Sequence, residues 1–127
     1  LLMAEYNPIE CRIVTIENYE KRIPIAKANF KAAGKEQMIT LLEGDAAEIL
    51  PTLDETFDFI FMDPPYNHLW EKEVLTYLAH SSLADEHTMI ITEASKETGC
   101  SYLSELGYHL EKEKIYKTNK HLFIRKA

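Results

Sequence analysis

Apolar positions recur along the chain with two different periods, and the changes of period mark its elements. Short runs rich in β-branched and aromatic residues predict strands at 11–16, 38–42, 57–62 and 88–92. Between them the spacing lengthens to three and four. Over 19–33, Ile23, Ala26, Phe30 and Ala33 share one helical face, Gly34 suits the position just past the helix, and Pro24 fits a first turn. A short helix at 46–50 stops at Pro51, and a helix over 70–78 puts Trp70, Val74, Leu75 and Leu78 on one face. A helix at 100–106 ends at Gly107. Residues 108–116 and 121–125 then predict a strand pair turning around Thr118-Asn119, and 1–6 predicts the end of a helix closed by Asn7-Pro8. Strands alternating with helices imply a parallel sheet, and the closing pair implies an antiparallel edge. The expected fold class is α/β, mostly parallel with a C-terminal antiparallel strand pair, in a single domain over 1–127.

Where the strands stop carries the chemistry. The third stops at Asp63-Pro64-Pro65-Tyr66. Prolines cannot donate to a sheet ladder and hold the chain extended just past the strand's C-terminal end, where open α/β sheets bind ligands. One carboxylate, two carbonyls fixed by proline rings and one aromatic face are therefore delivered together. A nucleobase with an exocyclic amino group has two N–H donors in its plane and a π-face above it. Asp63 and the Pro64 carbonyl can accept the two N–H bonds while Tyr66 stacks on the ring. The plain alternative is a Pro-Pro turn with a packed tyrosine. Glu17 ends the first strand, where an acid can accept both hydroxyls of a ribose. Asp45, followed by Ala46, ends the second, where a carboxylate can accept from an adenine amino group. Each acid alone also fits a turn or a helix N-terminus.

Composition narrows the classes. The chain has 127 residues, enough for one domain with a core. No apolar run approaches the ~20 residues of a membrane span, and no signal-peptide pattern is present. Cys11 and Cys100 make no disulfide framework, which fits reduced thiols and a cytoplasmic location. The net charge of −7 is not that of an obvious nucleic-acid binder. The acidic excess lies in the first half, whereas Lys112, Lys114, Lys117, Lys120 and Arg125 make the end of the chain basic. Those lysines suit either phosphate contact or the solvated outer face of a strand pair.

Asp63-Pro64-Pro65-Tyr66 resembles the Asp/Asn-Pro-Pro-Tyr motif of S-adenosylmethionine-dependent amino-methyltransferases acting on bases in DNA and RNA. Residues 57–126 are similar to the small-subunit ribosomal RNA guanine-N2 methyltransferases, in which the motif is followed by a helix, a strand ending in an acid (here Glu93) and a closing strand pair (here with Tyr116-Lys117-Thr118-Asn119-Lys120). Residues 11–63, with Val14-Thr15-Ile16-Glu17 and Leu41-Leu42-Glu43-Gly44-Asp45-Ala46, resemble the caffeoyl-CoA-type O-methyltransferases. The chain therefore reads either as a divergent member of the first family or as a fusion of two related fragments joined within 57–63. The resemblance implies a Rossmann-like methyltransferase sheet, S-adenosylmethionine as cofactor with Glu17, Asp45 and Ala46 on its adenosine part, and Asp63, Pro64, Pro65 and Tyr66 around the substrate amine. Ribosomal RNA is the implied partner, and transfer to a small-molecule oxygen is the alternative.

Two family features are missing. Metal-dependent O-methyltransferases place further ligands after the third strand's Asp and in an Asp-Asn pair after the next strand. Here those places read Pro64-Pro65-Tyr66 and Glu93-Ala94-Ser95, so no catalytic metal is expected. None of the four glycines forms the loop that holds the cofactor's methionine end. The chain is accordingly expected to be truncated, lacking the usual first strand and glycine-rich loop, to bind cofactor weakly or not at all, and to self-associate through exposed sheet edges. A folded fragment without turnover is the third expectation.

Overall fold

The computed structural model describes residues 12–17, 19–35, 37–62 and 70–127. They fall into two compact units, 1–53 and 54–127.

The first unit is a βαβ arrangement. Strand β1 (Ile13–Glu17) leads through helix α1 (Arg22–Ala32) to β2 (Ile39–Glu43), which pairs with β1 in parallel from Ile13↔Ile39 to Glu17↔Glu43. Helix α2 (Ala46–Ile49) and a 3-10 turn (Leu50–Thr52) follow. The predicted face of α1 is the one it turns inward: Ile23, Ala26, Phe30 and Ala33 are half-buried, while Pro24, Ile25, Lys27 and Ala28 are exposed. The helix starts later than expected. Arg22 N and Ile23 N both donate to Tyr19 O, so residues 19–21 form the entering turn. Pro24 sits in the first turn, where its missing N–H leaves no gap in the helix bonding. Ile39 is the one fully buried apolar residue among the described residues of this unit.

The second unit has a denser core. Strands β3 (Phe59–Met62), β4 (Met89–Ala94), β5 (Tyr108–Ile115) and β6 (Lys120–Lys126) form a sheet in the order β3-β4-β6-β5. The β3–β4 ladder is parallel, and β6 runs antiparallel to both β4 and β5. Helices α3 (Trp70–Ala79) and α4 (Tyr102–Glu105) supply Leu75, Leu78 and Leu103, and the strands Ile90, Ala94, Tyr108, Leu122 and Ile124, to one apolar core. Burying each of these leucines and isoleucines contributes about 1.5–3 kcal/mol. Of the predicted α3 face, Leu75 and Leu78 are buried and Val74 is half-buried. Side chains at 70 and 71 lie outside the described residues.

Two strands and one lysine differ from the sequence expectation for tertiary reasons. Strand β3 starts at Phe59: Phe57 N turns away to donate to Leu83 O, and the bonding to β4 opens with Asp58 O accepting from Met89 N. Strand β4 runs on through Glu93 to Ala94 because β6 continues to pair there, Glu93 with His121 and Ala94 with Lys120. Lys120, grouped by sequence with the solvated lysines, is buried instead. Its ammonium donates to Thr98 O at 2.5 Å and to Glu113 Oε1 at 3.3 Å. The Cys100 thiol lies 4.0 Å from Lys120 Nζ, and burial pushes its pKa up. Among the described residues, no helix is long and apolar enough to cross a membrane.

Tyr108 joins the sheet to α3, its hydroxyl donating to Leu75 O at 2.5 Å. Burial pushes its pKa up to about 12. The neutral phenol is therefore favoured in the folded state. Its stability contribution is complete below the unfolded tyrosine value of about 10 and is lost as pH rises toward 12. Tyr108→Phe is expected to lower stability near neutrality by about 1 kcal/mol and to flatten the fall in stability above pH ~10. Urea unfolding at several alkaline pH values measures both effects, and a parallel fall in parent and variant would remove Tyr108 as its cause.

Candidate functional site

Two strand-end acids of the first unit lie at one edge. Glu17 closes β1 and is the register partner of Glu43, which closes β2. Gly44 N donates to Glu17 O at 3.0 Å, which draws the start of the β2–α2 connection across the end of β1. Gly44 itself has φ 142°, and a Cβ there would lie 3.2 Å from Ile49 Cδ1, so the turn requires glycine. Asp45 follows as the N-cap of α2. Its Oδ1 accepts from Ala47 N at 2.9 Å, and its carbonyl accepts from Glu48 N and Ile49 N. Ala46, the first residue of α2, is half-buried.

Both carboxylates thus have a local structural role, Asp45 at an exposed position and Glu17 at a half-buried one. Glu17 Oε1 accepts from Tyr19 N at 3.1 Å, holding the turn into α1. Each acid commits one oxygen to a backbone N–H and leaves the other able to accept from a ligand. Such a pair of acceptors is chemically able to take ribose hydroxyls on Glu17 and an exocyclic amine on Asp45. No glycine-rich cradle for a methionine chain occurs among the described residues. Nor do three His, Cys, Asp or Glu side chains come together there as a metal site.

In the second unit, Asp63, Pro64, Pro65 and Tyr66 lie outside the described residues. Their point of departure is defined, because β3 ends at Met62, whose partner on β4 is Thr92. Glu93 comes next on β4. It is a clasp rather than a rim carboxylate: Oε1 accepts from Asn119 Nδ2, Oε2 lies 3.9 Å from His121 Nε2, and the side chain is 18% exposed. Sequence reasoning placed Glu93 at a strand end but missed its partners. Glu93 is separated from Asn119 by 26 residues, and no local period links them. The available signal was the acid at a strand end combined with a polar turn in the closing hairpin.

Comparison with known proteins bears on both units. The sequence profile of the family described as Conserved hypothetical protein 95 matches residues 10–125. An O-methyltransferase of Aspergillus flavus is 35% identical over 79 residues, covering 56% of this chain and 32% of the relative. The chain spans about a third of the length of the curated relatives it matches. A conserved hypothetical protein of Streptococcus pyogenes superposes with a TM-score of 0.82 at 27% identity, over 91% of this chain and 72% of that one. A putative methylase from Haemophilus influenzae does so with a TM-score of 0.77 at 15% identity and the same coverages. The shared architecture is the Rossmann-like methyltransferase fold.

The capping role of Asp45 can be measured by itself. Asp45→Ala is expected to cost about 0.5–2 kcal/mol through loss of the α2 cap, whereas Asp45→Asn keeps a capping oxygen and should cost less. Denaturant unfolding measures the difference. Equal stability of all three proteins would show that the cap contributes nothing.

Proposed function

The chain belongs to the family described as Conserved hypothetical protein 95, a family of S-adenosylmethionine-dependent methyltransferases, and we propose from this that it takes part in methyl transfer to an exocyclic amine of a nucleobase, with ribosomal RNA as the substrate class and the cytoplasm as its place. The observation carrying this reading is the end of β3 at Met62, immediately before Asp63-Pro64-Pro65-Tyr66, in a chain whose family match runs through the motif.

The bound cofactor supplies an electrophilic methyl group. The chain's own residues position the amine and its surroundings. Asp63 and the Pro64 carbonyl accept the two amine N–H bonds and so direct the nitrogen lone pair out of the base plane. Tyr66 stacks on the base, and the ring of Pro65 restricts the chain between the two contacts. The Asp63 carboxylate also stabilises positive charge developing on nitrogen. Holding the amine in line supplies most of the rate advantage. Glu17, Asp45 and Ala46 would hold the adenosine part of the cofactor.

A second reading, transfer to the oxygen of a small molecule, is supported by the O-methyltransferases among the relatives, one of them a catechol O-methyltransferase of Niastella koreensis. The Pro-Pro-Tyr and Glu93-Ala94-Ser95 segments counter it, standing where that class carries metal ligands.

Calorimetric titration of these 127 residues with S-adenosylmethionine is expected to show very weak or no binding. Micromolar affinity, about −8 kcal/mol, would show that no glycine-rich cradle is needed. In the chain extended by a family member's glycine-rich loop, Asp63→Ala should suppress transfer to RNA while leaving cofactor affinity nearly unchanged. Undiminished transfer would return the four residues to an ordinary turn.

Exposed sheet edges are the proposed route to self-association. Among the described residues β1 pairs only with β2 and β3 only with β4, and β3 exposes Phe59 and Phe61 at 65% and 54%. Such edges recruit further strands. Sedimentation over a range of concentrations is expected to show a dimer or larger species, and a clean monomer at high concentration would contradict it.

A further inference from the structure

The edge at which β3 ends is also where the β5–β6 hairpin turns. Because β6 is antiparallel to both β4 and β5, strand β5 runs in the same direction as β3 and β4, and its tip reaches the same edge of the sheet. The tip is tied to β4 and to the turn that follows it. Asn119 donates to Glu93, His121 lies beside the other Glu93 oxygen, and Lys96 Nζ donates to Lys117 O at 3.0 Å. Tyr116 N donates to Asn119 O at 2.8 Å and closes the turn.

The register sets which side chains share a face. His121 is opposite both Glu93 and Lys114, Tyr116 lies two residues beyond Lys114, and Phe61 is opposite Ile91, two residues before Glu93. An aromatic row results. His121 meets Phe61 edge-on at 6.1 Å and Tyr116 at 4.9 Å, with Tyr116 41% exposed. The Lys114 ammonium stands 5.3 Å from the Tyr116 ring centroid. The acids nearby are engaged: Glu113 with Lys120, Glu111 with Arg125, Glu93 with Asn119 and His121. Glu97 stays exposed on the neighbouring turn. Lys112, Lys114 and Lys117 make no ion pair among the described residues, so this corner of an acidic chain presents net positive charge beside an exposed ring.

We propose that Tyr116 and Lys114 form a platform for a nucleotide flanking the target base in single-stranded RNA. The base stacks on the Tyr116 ring, the phosphate is met by the Lys114 ammonium, and Glu93 acts as a positioning residue that holds the hairpin tip through Asn119 and His121. This rests on the reading of the chain as an RNA base methyltransferase. An aromatic ring with a cation beside it suits single-stranded nucleic acid because every base offers a π-face and every linkage a charge. The cationic side chain also shifts the local balance against the chain's overall charge of −7.

The test is binding of a fluorescein-labelled single-stranded RNA of mixed sequence to the 127-residue chain, read by fluorescence anisotropy over a series of salt concentrations. Circular dichroism of each variant confirms folding. Tyr116→Ala should weaken binding about 5- to 100-fold, and Tyr116→Phe, which keeps the ring, by no more than about twofold. Lys114→Gln should reduce the slope of log affinity against log salt by about 0.7. Glu93→Ala should weaken binding without changing that slope, and Glu93→Gln, which still accepts from Asn119, should restore most of it. Lys31→Gln on α1 is the control. RNA binding that is indifferent to Tyr116→Ala and Lys114→Gln would overturn the platform and leave the RNA reading standing. Absence of any RNA binding by the parent chain at low salt would overturn both.

Discussion

The parallel register of β3 against β4 is the constraint on which the second unit depends. It is set where the two strands begin. Thr88, buried at 1% exposure, donates from its hydroxyl to Phe57 O at 2.6 Å and accepts from Asp85 N at 3.0 Å, while Met89 N donates to Asp58 O at 2.9 Å. Asp85 in turn accepts from His87 N, the contact that chiefly lowers its pKa. With the start fixed, Phe59 meets Met89 and Met62 meets Thr92. A slip of one residue would turn Ile90 and Thr92 from the core to the open face of the sheet. It would also move Glu93 away from the place where the chain leaves β3 for Asp63. A strand-end motif requires a sheet that stops at a defined residue, and these hydrogen bonds define it.

Much of this was legible in local sequence. The period of three and four on α1 identified its half-buried face, and the alternation of strands and helices gave the parallel ladders. What was not legible depends on distant pairing. Strand β4 extends through Ala94 only because β6 lies beside it. Lys120 is buried because the same register puts it opposite Ala94, where Thr98 O and Glu113 can accept from its ammonium. A lysine in a basic run gives no local sign of that. Glu93 was readable as an acid at a strand end, but its partners Asn119 and His121 arrive only when the hairpin folds back. For Glu17 and Asp45, the sequence pointed to ligand contacts, and the structure adds a local reason for each acid: a turn contact for Glu17 and a helix cap for Asp45.

The two units differ in how fully their elements are covered. In the second, helices α3 and α4 fill one face of a four-stranded sheet, and Leu75, Ile90, Leu122 and Ile124 are at 0% exposure. In the first, every described residue of β1 is half-buried, and α1 has no fully buried residue. A two-stranded sheet under one long helix has few faces to pack. Glu17 and Asp45, the acids proposed for the cofactor, thus stand on the unit with fewer fully buried residues among those described.

The central claim is that the chain serves transfer to a base nitrogen rather than to an oxygen. The most direct measurement is nucleoside mass spectrometry of RNA incubated with methyl-deuterated S-adenosylmethionine and the loop-extended chain. The account predicts the label on the exocyclic nitrogen of a base. Label confined to ribose hydroxyls, or transfer to a catechol with none to RNA, would contradict it.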